Sequence, residues 1–255
     1  MTGLAATVAK FSGDGATIAI GGAGLSRKPM SLVEALVASG YRDLTIVSFL
    51  GSLDVEMLLA SGCVAELHTA GVDLAGFGLA PAYREARQQG TVRVVEWSEG
   101  SLMAALEAEA RGLRSMPTPT SPRTELVETN PWLGVHPDPM DGGDVVFARA
   151  LPVDLALLHA PVADRFGNLH IAGDVGVDGL MARAAARTLA TTERAGDDAP
   201  SRAAISRLWV DEVHVDPEGS WPTACHPATL LDLGAVARWA GSDGLDTSLL
   251  VRSHG

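Results

Sequence analysis

Lysine is nearly absent from this sequence: Lys10 and Lys28 are the only two. Against 19 Lys and Arg stand 31 Asp and Glu, a formal net charge of −12. That excludes nucleic acid as the main partner, because phosphate binding needs clustered cations. The same scarcity makes Lys28 beside Arg27 a noticeable positive spot. Cysteine is as rare. Cys63 and Cys225 give no zinc spacing and no disulfide framework, so a reduced cytoplasmic setting is the expectation. No apolar run reaches the ~20 residues of a membrane span. The opening "MTGLAATVAKFSGDG" lacks the basic start and unbroken apolar run of a signal peptide. Aromatic residues make up 5%, while plentiful alanine and glycine favour close helix-on-sheet packing. What remains, 47% hydrophobic and 20% charged over 255 residues, is the composition of a globular protein with a sizeable core.

Short β-rich runs alternate with helix-patterned stretches. "ATIAIG" (16–21), "LTIVSF" (44–49), "VAELHTA" (64–70) and "VRVVEW" (92–97) read as buried strands. Between them "SLVEALVAS", "LDVEMLLAS" and "PAYREARQQ" carry helical spacing, with Gly40, Gly62 and Gly90 as stops. Ser31 is the expected cap of the first helix, with Glu34 at the capping-box position. This alternation predicts an α/β fold, an open and mainly parallel sheet with helices on both faces. After the helix "SLMAALEAEARGL", residues 115–144 are rich in Pro, Thr, Ser, Asp and Gly. They are expected to be an irregular excursion, either functional or ordered against a partner. The pattern resumes with "DVVFARAL", "DLALLHAPV", a helix in "GVDGLMARAAAR", and strands near "TLATTE" and "SRLWVDEVHV"; from Pro227 the tail reads as helical, then polar.

The most distinctive stretch is "TIAIGGAGLSRKPM" (17–30), a strand running into a glycine turn. Such a layout holds phosphates at a helix start. A dinucleotide fingerprint needs a third glycine, however, where this chain has Arg27, and no P-loop spacing is present. The nucleotide reading therefore fails. A bare tight turn and a loop whose N–H groups face a developing oxyanion both stay open.

Four segments carry a resemblance. "GGAGLSRKPM" looks like the glycine loop of alpha subunits in the family I coenzyme A transferases, those of the glutaconate type with a basic pair before proline. "LLASGCVAELHTA", "EWSEGSLMAALEAEARGLRSMPT" and "DLALLHAPVADRFGNLHI" follow in the family's order, the last being the most diagnostic. After "MPT" the chain departs from the family with Pro119-Thr120-Ser121-Pro122. The resemblance implies one transferase-type alpha domain over residues 1–255 and a homologous beta subunit, in a heterodimer or heterotetramer. It also implies coenzyme A as part of the substrate, with no permanently bound cofactor. The Ser-Glu-Asn-Gly run that bears the nucleophilic glutamate in transferase beta subunits is missing.

Within that frame Glu99, just past "VRVVEW" at the carboxyl edge of the sheet, is the candidate catalytic base. An acidic pair before Gly stands there in the alpha subunits of steroid-ring-cleaving hydrolases, a branch of the same superfamily. The alternative for Glu99 is a charge favouring a helix N-terminus; whether Glu99 or Glu96, inside the strand, faces the site stays open. Gly22, Ala23, Gly24, Ser26, Arg27 and Lys28 are the candidate substrate-binding loop, the cations for a carboxylate or a phosphate. Asp164, Gly167 and Asn168 read as a turn. His159 reads as a satisfied core residue, and His68, His170, His214 and His226 lack metal spacing, so no metal is expected. Ser98 has no His-Asp partner, and both cysteines read as inert. Three functions compete: ring-opening hydrolysis of a cyclic acyl-CoA, as in steroid catabolism, CoA transfer with the nucleophile on the beta subunit, and non-catalytic acyl-CoA binding.

Overall fold

The structure is a computed structural model describing residues 3–196 and 202–251. Its first half alternates α1 (Gly3–Phe11), β1 (Thr17–Ala23), α2 (Met30–Ala38), β2 (Leu44–Leu50), α3 (Leu53–Ala60), β3 (Val64–Thr69), α4 (Pro81–Gln89), β4 (Arg93–Glu96) and α5 (Glu99–Ala110). The expected strands and helices stand within a few residues of their places. Gly40, Gly62 and Gly90 follow α2, α3 and α4 with φ of 73°, 68° and 64°, the left-handed conformation that ends a helix.

Period-two alternation decides the layers. Ile18 and Ile20 of β1, with Leu44 and Ile46 of β2, face a core closed by α1–α3. Ala19 and Val47 face the opposite one, closed by α5 and a later helix. Ser31 does not cap α2. That helix starts a residue earlier, at Met30 after Pro29, with no side-chain cap. The proline fixes the entry and places Ser31 inside the first turn.

Residues 115–144 correct the expectation of irregularity. They hold β5 (Ser115–Thr118), α6 (Glu125–Thr129) and β6 (Leu133–Pro137), and β5 and β6 flank β7 (Asp144–Arg149) in a three-stranded antiparallel sheet. This small sheet packs under α5 through Ala148 and Met116.

The chain then returns with β8 (Val153–Ala163), β9 (Leu169–His170), α7 (Asp178–Ala184), β10 (Ala185–Ala195), β11 (Glu212–Val215) and α8 (Leu233–Ala240). The helix expected across "GVDGLMARAAAR" stops at Ala184, and β10 follows with no loop between them. The strand expected over 206–215 is a single 3-10 turn followed by a short β11. The main sheet runs β11-β10-β8-β1-β2-β3-β4, all parallel, with β9 antiparallel on β8. It is the open, mainly parallel α/β sheet with helices on both faces. The tail is not simply polar: Trp239 of α8 is fully buried, and its indole N–H donates to Glu56 at 2.7 Å.

Candidate functional site

A parallel sheet collects its strand-to-helix turns along one edge, where open α/β folds place ligands. Along this edge lie the glycine turn after β1, the Gly51-Ser52 turn after β2, and the Ser98-Glu99-Gly100 corner after β4.

The glycine turn is a hairpin folded back on its own strand. Ala23 and Ser26 exchange backbone hydrogen bonds at 3.0 Å in both directions, around Gly24 with φ 51°. Glycine with positive φ at the first of two central residues is the signature of a II′ turn. The glycines are needed for different reasons. A Cβ on Gly21 would lie 2.6 Å from Leu158 and 3.1 Å from Asp178, so this residue admits the α7 carboxylate. A Cβ on Gly22 would lie 2.5–2.6 Å from the Ser26 and Arg27 backbone. At Gly24 a Cβ meets nothing within 4 Å.

Most of the loop's donors are engaged within the chain. Gly22 N–H donates to Asp178 at 2.8 Å, Ala23 to Ser26, and Gly24 to the Leu50 carbonyl at 2.9 Å. Arg27 N–H goes to Ala224, and Lys28 N–H to the Thr223 hydroxyl at 3.1 Å. The two cations are not a surface pair either. Arg27, 5% exposed with φ 54°, pairs with Asp178 and donates to the Asp174 carbonyl at 2.9 Å. Lys28 is 0% exposed, with its Nζ 3.1 Å from Asp54, 3.1 Å from Ser48 Oγ and 3.3 Å from the Gly22 carbonyl. Both hold the hairpin from inside. Gly24, Leu25 and the exposed Ser26 form its outward part. Sequence reasoning missed Asp54 and Asp178, because nothing local ties a helical carboxylate to a cation tens of residues away.

These contacts separate the glycines experimentally. Gly24→Ala is expected to fold with a loss of about 1–2 kcal/mol for left-handed backbone. Gly22→Ala, which must displace backbone, should lower the urea midpoint much further. Equal midpoints would contradict this description of the hairpin.

Glu99 occupies the first turn of α5 and is exposed. Its corner is rigid. Ser98 caps the helix through Ser101 N–H, with the Ser101 hydroxyl closing the box, and Ser98 Oγ lies 2.8 Å from Thr120 Oγ1. Asn130 Nδ2 donates to the Glu96 carbonyl at 2.7 Å. A Cβ on Gly100 would lie 3.0 Å from Pro119, so the missing side chain lets the Pro-Thr segment close over the corner. Beneath it, Trp97 N–H donates to His68 Nδ1 at 3.1 Å, which leaves the ring proton on Nε2, 2.7 Å from Glu66; burial pushes the pKa of this imidazole down. Glu96 is exposed and pairs with Arg87 of α4.

The structure does not bring Glu99 and the hairpin into contact through adjacent strands. They follow β4 and β1, three strand spacings or roughly 14 Å apart. Cavities of about 550 Å³ beside α5 and α7, and of about 410 Å³ near the ends of β8 and β10, include neither Glu99 nor residues 22–28 in their linings.

Asp164, Gly167 and Asn168 form the expected turn. Asp164 accepts from the N–H groups of Phe166 and Asn168 and from the Asn168 amide at 2.7 Å. The Asn168 amide is the main reason the Asp164 carboxyl falls to about 2. No helix among the described residues is long and apolar enough to cross a membrane.

Residues 2–216 match the family described as Coenzyme A transferase. The chain is 31% identical over 221 residues to the cholesterol ring-cleaving hydrolase IpdA subunit of Rhodococcus jostii, covering 81% of this chain and 74% of that one. It is also 31% identical to one subunit of the 3-oxoadipate CoA-transferase of Acinetobacter baylyi, over 84% of this chain and 92% of that one. An uncharacterized protein of Archaeoglobus fulgidus is 32% identical over 84% of this chain, which spans only 49% of that protein's length. Among solved structures, a variant of the decarboxylase AibA/AibB superposes with TM-score 0.87 at 35% identity, over 97% of this chain and 95% of that one. Glutaconate coenzyme A-transferase of Acidaminococcus fermentans superposes with TM-score 0.86 at 24% identity, over 94% and 84%, and shares the fold.

Proposed function

This chain belongs to the coenzyme A transferase family, and from that premise we propose that it is the alpha subunit of a ring-opening hydrolase acting on a cyclic acyl-CoA. The observation that carries the reading is Glu99: an exposed carboxylate in the first turn of α5, at the ligand edge of the sheet, on a corner whose backbone is fixed by the Ser98–Ser101 cap and by Thr120. A carboxylate carried on such a corner and open to solvent is within reach of water, and reach precedes pKa in general-base catalysis. Water attacks a ring carbonyl, the bond from that carbon to its neighbour breaks, and the electron pair leaves as an enolate stabilised by the adjacent carbonyl. The proton taken by Glu99 then goes to the neighbouring carbon, the α-carbon of that enolate. The tip of the hairpin, Gly24 to Ser26, borders the substrate, with Gly22, Ala23, Arg27 and Lys28 holding it in place.

The roughly 14 Å between corner and tip suits an extended thioester better than a single reacting atom, and a homologous second subunit completes the site between them. The chain is therefore expected to be inactive alone and to co-purify with such a partner. With both subunits present, the product of a cyclic acyl-CoA should gain the mass of one water while keeping its thioester. Loss of free CoA from the thioester instead, or turnover by the isolated monomer, would defeat the proposal.

A second reading, CoA transfer, is favoured by the likeness to the 3-oxoadipate CoA-transferase of Acinetobacter baylyi. It requires the nucleophilic glutamate on the partner, where borohydride would trap a glutamyl-CoA adduct.

A further inference from the structure

We propose that His159, Glu193 and Cys225 form a binding site for a divalent transition metal of the zinc class, at the carboxyl ends of β8 and β10. The three are far apart in sequence, and the fold brings them together. His159 on β8 lies in register with Thr191 on β10, so Glu193, two residues on, projects from the same face of the sheet. Cys225 is delivered by the segment that pairs with the glycine hairpin, through the bridge between Ser26 and Ala224. A ring nitrogen of His159, the Cys225 Sγ and a Glu193 carboxylate oxygen all lie within 4.8 Å of one another, and all three residues are buried. Ligands at tetrahedral zinc sit about 3.3–3.6 Å apart, given metal–ligand bonds of about 2.0–2.3 Å, so a small contraction completes the set.

The second observation is an orphaned nitrogen. His159 is 0% exposed; its Nδ1 lies 2.8 Å from the Thr191 hydroxyl, while its Nε2 is buried with no hydrogen-bond partner. A buried polar atom without a partner is costly. A metal on Nε2 removes that cost, and the bond on Nδ1 is the kind that orients a ligating imidazole. Thr229 anchors the rest, donating its hydroxyl to Glu193 and exchanging backbone hydrogen bonds at 2.9 Å with Cys225. Glu193 and Thr229 also line the cavity of about 410 Å³, whose lining does not include His159 or Cys225.

One nitrogen, one sulfur and one oxygen suit zinc or cobalt rather than magnesium or calcium, which take oxygen ligands. Cysteine binds a metal as the thiolate, not the thiol. Metal binding therefore replaces the thiol proton, and one proton leaves for each sulfur–metal bond formed.

The test is titration of the reduced full chain with Co²⁺ alone. A thiolate-to-cobalt charge-transfer band should appear, saturating at one metal per chain with release of a proton. Cys225→Ser should abolish the band, Cys63→Ser should leave it, and His159→Gln should weaken binding at least about tenfold. X-ray absorption of the cobalt-loaded wild-type chain, which needs no variant to fold, should find one sulfur among nitrogen and oxygen ligands. Absence of the band, its survival in Cys225→Ser, or a sulfur-free shell would overturn the assignment.

Discussion

Replacing Glu99 by Gln is expected to lower turnover by ~10²–10⁴-fold, the range that general acid–base catalysis supplies, with KM little changed. Gln keeps the size and hydrogen-bonding capacity of Glu and removes only the base, so the loss falls on kcat. The corner should survive the change, because its cap is made by Ser98 and Ser101 rather than by Glu99. The helix loses one favourable first-turn charge, worth ~0.3–1 kcal/mol, too little to unfold it. Glu96→Gln is the control. It breaks an exposed pair with Arg87, worth about 0–1 kcal/mol, and should leave turnover nearly intact. In a transferase, Glu99→Gln would disturb positioning while the partner's glutamyl adduct still formed. Near-normal hydrolysis by Glu99→Gln would remove it from the mechanism.

Why the position of Glu99 could be read from sequence, and the contacts of the buried groups could not, follows from where their information lies. The place of Glu99 is local, in a strand that ends and a helix that begins within four residues. The same holds for the helix stops at Gly40, Gly62 and Gly90, and for the alternation that made β1 to β4 legible. The small antiparallel sheet was hidden because β5 is the four residues Ser-Met-Pro-Thr. That run is too short for a two-residue period and carries a proline at an edge strand, where the missing N–H is tolerated. The end of α7 was hidden for another reason: Ala184 and Ala185 read equally as helix or as buried strand, and only pairing with β8 decides. Residues 159 and 193 meet through β-strand register, and 225 joins them through the bridge of Ala224 to Ser26, which no spacing rule encodes.

Lys28→Met should destabilise the chain by about 3–5 kcal/mol, the cost of removing one partner from a buried ion pair. The cation stands at the centre of a network that builds the candidate site. Its ammonium meets Asp54, Ser48 and the Gly22 carbonyl. Asp54 also accepts from the Ser48 hydroxyl and from Ser52 N–H, each at 2.8 Å, and Ser52 Oγ donates to the Gly24 carbonyl at 2.5 Å. Met fills much of the lysine's volume, so the loss reports the stranded Asp54 carboxylate rather than a cavity. Domains of ordinary stability hold about 5–15 kcal/mol, so the urea midpoint should fall steeply with little change in slope. Pairing the change with Asp54→Asn removes both charges yet keeps an oxygen for Ser52 N–H. That double variant should regain more than half of the loss, because the penalty lies in the unpaired charge and not in the absent cation. A double variant no better than Lys28→Met alone would place the energy in packing, and the glycine hairpin would then rest on shape rather than on charge.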